Sequence, residues 1–218
     1  MQRPLAPKPE PPRHCRRCPR LVAFRLEQRR AHPAWWNAPV PSFGDANPRV
    51  LIVGLAPGLR GANRTGRPFT GDYAGELLFA TLAKFGFTRG TYGGESDDGF
   101  ELIDVRIPSA VRCVPPQNIA APEEIRTCNR FLKPWISRSP RLKAVVALGQ
   151  VGHTAVIMAA GARQAAHKFG HGAEHDLGAF RLFDSYHCSR RNTNTGTLTT
   201  AMFEEVFARV RRYIDRND

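Results

Sequence analysis

Two loops of this 218-residue chain hold most of the residue types that do chemistry. The first runs from Gly54-Leu55-Ala56-Pro57-Gly58 through Asn63, Arg64 and Phe69 to Asp72, and it joins glycines, which let backbone come close to a ligand, to a carboxylate. It lacks the Gly-Lys-Ser/Thr ending that holds a triphosphate and its magnesium, which disfavours a nucleotide hydrolase. The second opens on His187 and continues through Ser189, Arg190, Arg191 and Asn192 to Thr199. Taken singly, such a histidine is most often structural, an Asp after Gly most often caps a helix, and Phe69 would be core. Cysteine is the other chemical signal. Cys15-x-x-Cys18 and the pair Cys113 and Cys128, with 14 residues between them, supply four thiolates, and Cys188 is left over beside His187. Four thiolates could hold zinc or a [4Fe–4S] cluster, and spacing alone does not separate the two.

Both loops follow apolar runs that read as strands. Arg49 to Leu55 is β-branched and bounded by Pro48 and Gly54, which predicts a strand buried on both faces. Gly75 to Phe85 then has helical spacing through Leu77, Leu78, Leu82 and Phe85. Further strands are expected over Glu101 to Pro108, Lys143 to Leu148 and Phe180 to Ser185. The expected helices lie near Leu21 to Gln28, from Pro122 through Ile136, over Val151 to Ala160, and over Leu198 to Ile214. Phe203, Val206, Phe207, Val210 and Ile214 form the buried face of the last, with Glu204 and Glu205 solvated. Tyr186 to Gly196 reads as a loop. Strands alternating with helices predict an α/β fold, a three-layer α/β/α sandwich around a mainly parallel sheet of about four strands. Ligands of such sheets sit beyond the carboxyl ends of the strands, which is where both chemical loops fall.

Composition narrows the setting. Lys and Arg number 32 against 19 Asp and Glu, a formal net charge of +13, which fits a polyanionic partner such as nucleic acid. An arginine-rich coding bias is the competing explanation. Apolar runs fall far short of the roughly 20 residues that span a bilayer. Residues 1–13 read as a disordered Pro-rich leader without the apolar stretch of a secretory signal, followed by one domain over 14–218. A cytoplasmic location is expected, where reduced thiols argue against a disulfide framework.

The two loops together resemble the uracil-DNA glycosylase superfamily. The first looks like its Gly-x-Ala-Pro-Gly segment, in the longer version of the family 5, or type b, branch. His187-Cys188-Ser189-Arg190-Arg191-Asn192-Thr193-Asn194-Thr195-Gly196-Thr197-Leu198-Thr199 resembles that branch's His-x-Ser-x-x-Asn-x-x-Thr-Gly-x-Leu-Thr motif. The resemblance runs from about Cys15 to the terminal helix. It implies a base-excision enzyme that flips a deaminated base out of DNA and hydrolyses its glycosidic bond without a catalytic metal.

The resemblance also implies roles. His187 would stabilise negative charge on the departing base, and Asp72 would stabilise the cationic sugar or activate water. Asn192 would fix the His187 loop or the water. Phe69 would stack on the flipped base, Ala56 and Gly58 would give it close backbone approach, and Arg190 and Arg191 would press on phosphates or wedge the duplex. Relatives with strong uracil preference commonly carry Asn where this chain has Ser109 in Pro108-Ser109-Ala110-Val111. Serine favours a roomier pocket that also accepts hypoxanthine, xanthine or damaged cytosines. Gln117 and Asn118 could add polar contacts or simply form a turn. The same resemblance assigns Cys15, Cys18, Cys113 and Cys128 to a structural [4Fe–4S] cluster.

His167, His171 and His175 fall at four-residue spacing and would invite zinc on a helix. Gly170, Gly172 and Gly178 interrupt any such helix, so a turn with exposed or DNA-facing histidines is expected. The protein is expected to act as a monomer. Two other readings are open: a non-catalytic DNA-lesion binder on the same fold, and a zinc-stabilised nucleic-acid-binding protein unrelated to repair.

Overall fold

The computed structural model describes residues 10–217. Its core is set by the β-branched runs, because a segment without polar alternation is satisfied only when both faces are covered. β2 (Val50–Val53) and β6 (Ala144–Leu148) are buried along their whole length. With β5 (Val105–Ile107) and β8 (Arg181–Ser185) they make the parallel centre of a six-stranded sheet, ordered β1-β5-β2-β6-β8-β7. β1 (Phe43–Gly44) and β7 (Glu174–Asp176) close the edges antiparallel. The pleat sorts side chains between two layers of helices. On one face Val50, Ile52, Val146 and Phe183 meet Leu78 and Leu82 of α3 (Tyr73–Lys84) and Phe203, Phe207 and Val210 of α8 (Thr200–Arg216). On the other, Leu51, Val53, Val145 and Leu182 meet α1 (Pro19–Ala31), α4 (Pro122–Cys128), α5 (Lys133–Ser137) and α6 (Gln150–Ala160). This is the expected three-layer sandwich, with two short edge strands beyond the four read from the sequence.

The departures have local causes. Glu101 to Pro108 is not one strand, because Asp104 takes a left-handed φ of 60° and its carboxylate pairs with Arg49 and Arg141. β4 (Glu101–Leu102) therefore turns away to pair with β3 (Thr88–Arg89), leaving β5 to the central sheet. The helix expected from Pro122 through Ile136 breaks into α4, a 3₁₀ turn over 129–131 and α5. Pro134 has no N–H to continue the ladder. Two short helices also form within the chemical loops, α2 (Ala62–Thr65) and α7 (Arg190–Asn194).

The first nine residues of the Pro-rich leader lie outside the described residues. Glu10 packs onto the domain: its carboxylate accepts from the Ser42 amide, the Arg112 guanidinium and the Trp135 indole at 3.0 to 3.2 Å. Arg112 is only 1% exposed, so Glu10 neutralises one of the most deeply buried charges of the chain. Among the described residues no helix is long and apolar enough to cross a membrane.

Candidate active site

The loops after β2, β5, β6 and β8 meet at one end of the sheet around a cleft of ≈ 730 Å³. Asp72, His187, Phe69, Ser109, Ala56 and Gly58 all line it. Arg190 stands at the same cleft with its guanidinium 5.3 Å from the Tyr73 ring centroid. Arg191 is exposed and does not line the cleft.

Asp72 is the N-cap of α3. Its Oδ1 accepts from the amides of Ala74 and Gly75 at 3.1 and 3.3 Å, so the helix start orients the carboxylate. The other oxygen, Oδ2, turns toward the glycine loop: a Cβ at Gly58 would lie 3.0 Å from it, and one at Gly61 only 2.3 Å. These glycines leave the space it occupies. Burial raises the Asp72 pKa above the ordinary carboxylate value, and the two amide bonds only partly offset it.

Phe69 sits in the left-handed region at φ 54°, a rare conformation for a bulky residue. Its carbonyl accepts from the Tyr92 hydroxyl at 3.3 Å and packs so closely on α3 that a Cβ at Gly75 would fall 1.8 Å from that oxygen. The turn aims the ring at His187, with centroids 5.8 Å apart and planes inclined by 22°. His187 leaves the end of β8, and burial pushes its pKa down to about 4. The imidazole is therefore neutral near pH 7 and donates from one nitrogen. Nδ1 is buried with no hydrogen-bond partner among the described residues. An unpaired acceptor is tolerated better than an unpaired N–H, which favours the tautomer protonated at Nε2.

Asn192 does not line the cleft. Its Nδ2 donates to the His187 carbonyl at 2.8 Å, its own carbonyl accepts from the Leu198 amide, and Ser189 caps α7 by accepting from the Asn192 amide. The run Ser189 to Leu198 is thus a small self-bonded unit that fixes the His187 backbone. Cys188 is buried core, its thiol against the Ala74 carbonyl. Asn118 joins the cleft lining, which Gln117 does not.

Cys15, Cys18, Cys113 and Cys128 line a separate small cavity where the start of α1 meets the end of α4. Arg25 donates to the Cys113 sulfur at 3.4 Å and the Arg112 amide to the Cys128 sulfur at 3.3 Å, contacts suited to thiolates.

One cluster was not legible in the sequence. His153 of α6 is wholly buried and places Nδ1 2.9 Å from Asp184 Oδ1 and Nε2 2.9 Å from the His167 carbonyl. The carbonyl can only accept, so Nε2 carries a proton, and Nδ1 facing a carboxylate needs one as well. Burial works against that charge, but the bond and attraction to Asp184 outweigh it and the pKa is raised. His175 Nε2 lies 3.1 Å from the other Asp184 oxygen, and His171 Nδ1 accepts from the Tyr186 amide at 3.1 Å. The expectation of exposed or DNA-facing histidines is corrected for these two, because the β7–β8 hairpin folds them onto the strand that delivers His187. The ligand atoms of His153, His175 and Asp184 lie within 4.8 Å of one another, yet each is already hydrogen-bonded, which makes the group a clamp.

The fold and the facing loops define a class. Residues 41–211 match the family model described as the uracil DNA glycosylase superfamily. The chain belongs to the uracil-DNA glycosylase superfamily and is thereby a DNA glycosylase, a hydrolase of the bond between base and sugar. It is 45% identical over 204 residues to the Type-5 uracil-DNA glycosylase of Thermus thermophilus, covering 91% of this chain and 93% of that protein. The Type-5 uracil-DNA glycosylase of Pyrobaculum aerophilum is 43% identical over 90% of this chain and 87% of its own length. That of Mycobacterium tuberculosis is 41% identical over 91% of this chain and 77% of its own length.

Proposed function

We propose that this chain is a monofunctional family 5 glycosylase that uses water to release uracil, and also hypoxanthine and xanthine, from DNA, leaving an abasic site. The observation that carries this reading is the placement of Asp72, Phe69 and His187 in one cleft. The flipped base enters over Phe69, whose ring offers a stacking wall. As the bond from C1′ to the base breaks, its electron pair leaves with the base, and charge gathers on a base carbonyl that the His187 Nε2–H meets as a donor. A neutral imidazole suits that role, since it stabilises the anion without transferring its own proton. The sugar becomes cationic, and Asp72 faces it with the oxygen that the helix cap leaves free. Water attacks C1′, its oxygen replaces the base nitrogen, and one of its protons passes to Asp72 and onward to the departing base.

Ser109 supports the broader substrate range. It is buried at the end of β5 and too short to present both the donor and the acceptor with which an Asn reads uracil. Arg190 at the cleft and Arg191 on the exposed surface of α7 suit phosphate contacts. Cys15, Cys18, Cys113 and Cys128 would hold a [4Fe–4S] cluster that supplies structural cross-linking. A single zinc ion draws its thiolates to about 3.8 Å apart, from Zn–S bonds of roughly 2.3 Å. Among the described residues, His153, His175 and Asp184 are the group with three such ligand atoms within 4.8 Å, so no three of the four sulfurs lie that close together, which supports the larger cluster over a single zinc.

The test is excision from duplexes holding one uracil, hypoxanthine or xanthine, followed by alkali. An alkali-dependent break at the modified base is expected for all three. No break on any would sink the reading in favour of a non-catalytic lesion binder. A break without alkali would show lyase chemistry instead.

A further inference from the structure

The segment between Cys113 and Cys128 carries a feature that base chemistry does not use. Ile119 is the most exposed large apolar side chain among the described residues, at 63%. A single exposed aliphatic is ordinary on a mobile surface, but this one is held. Its amide donates to the Pro116 carbonyl at 3.1 Å, and its own carbonyl accepts from Arg20 at 2.8 Å. Arg20 is itself gripped by both oxygens of Glu124, at 2.9 and 2.7 Å. The two residues before it, Gln117 and Asn118, are both left-handed, at φ 55° and 58°. Two consecutive non-glycine residues in that region store strain that only a defined loop shape maintains. The chain next to Ile119 is also at the site, because Asn118 lines the cleft together with Asp72, Ser109 and His187. A rigidly presented aliphatic group next in the chain to a residue of the base-binding cleft has one use that fits its chemistry: insertion between base pairs at a kinked step, replacing the stacking that the extruded base gives up.

We infer that Ile119 is the wedge that enters the duplex beside the extruded nucleotide, with the Gln117–Asn118 turn and the Arg20–Glu124 pair as its brace. The assignment rests on the glycosylase reading above. Arg190 and Arg191 then serve the phosphates, and the cysteine cavity gains a purpose, since Cys113 and Cys128 flank the loop in the chain.

The test compares Ile119→Ala with wild type on uracil in duplex and in single-stranded DNA, with 2-aminopurine beside the uracil reporting unstacking. The wedge is needed only where a stack must be opened. Ile119→Ala is expected to lower the single-turnover rate at subsaturating enzyme by about tenfold on duplex, to leave the single-stranded rate within about twofold, and to quench the 2-aminopurine rise. Ile119→Leu should restore the duplex rate and the 2-aminopurine rise, and iron content should match wild type. Equal losses on both substrates, or duplex rate and fluorescence unchanged in Ile119→Ala, would overturn the assignment. Wild-type protein that releases uracil from neither substrate would instead remove the glycosylase reading on which it stands.

Discussion

Phe69 and His187 stack across the cleft with ring centroids 5.8 Å apart, although one leaves the loop after β2 and the other the end of β8. The contact makes the stacking wall and the hydrogen-bond donor a single rigid unit. Phe69→Ala removes the wall and frees the imidazole to tilt. Base stacking of about 1–3 kcal/mol corresponds to a loss of about 5- to 150-fold in kcat/KM on uracil duplex. A loss under threefold in single-turnover assays would show that the ring is core only.

Asp72→Asn keeps the helix cap, because its side-chain oxygen still accepts from Ala74 and Gly75, but removes the negative charge facing the sugar. The chemical step should slow by about 10³-fold or more with duplex affinity largely kept. In wild type the working form is the carboxylate, and its pKa is raised. The rate should therefore fall on the acid side through a pKa above the usual aspartate value. His187, down near 4, adds no titration close to the ordinary histidine value. An acid-side fall at or below the usual aspartate value would contradict this ordering.

Gly61→Ala places a methyl 2.3 Å from Asp72 Oδ2 and 2.8 Å from its Cγ. The carboxylate is fixed by its cap and cannot yield without losing it. Excision is expected to fall by about 10²-fold. The melting temperature should drop by only a few degrees, because overpacking typically costs about 1–3 kcal/mol. Full activity would mean that the Gly58–Gly61 turn is free to move away.

Ser109→Asn adds a side chain with both donor and acceptor at the end of β5. The ratio of uracil to hypoxanthine excision should rise, by about tenfold in kcat/KM, as a hydrogen-bonded site comes to reject bases lacking the matching pattern. An unchanged ratio on paired oligonucleotides would place base selection elsewhere in the cleft.

His153→Gln leaves Asp184 buried without its charged partner, and breaking such a pair typically costs about 3–5 kcal/mol, read as a lower melting temperature. The His153 pKa is raised in the folded protein, so its stabilisation is fully present below about pH 6.5 and is lost as pH rises through the folded value. Wild type should therefore lose its melting advantage over the variant on going from about pH 6 to about pH 9. A gap that widens with pH would show that His153 is neutral.

The parallel strands, the amphipathic terminal helix and both chemical loops are legible in the sequence, because each rests on local features: β-branched runs, apolar residues at helical spacing, and turns of fixed composition. Val50 to Val53 needs no partner to read as a strand buried on both faces. Asp72, Phe69 and His187 lie in loops that follow strands, but residue type alone favours structural roles for them, and it is the resemblance of the two loops to a glycosylase family that singles them out. What the sequence could not order are the contacts between segments far apart in it. The Asp104 break that diverts β4, the edge strand β7, and the clamp joining His153 to Asp184 across 31 residues depend on which surfaces meet once the layers close. The same holds for how the site residues work. That Asp72 spends one oxygen on a helix cap and keeps the other, and that His187 is neutral, follow from burial and from the direction of backbone amides, which exist only in the packed chain.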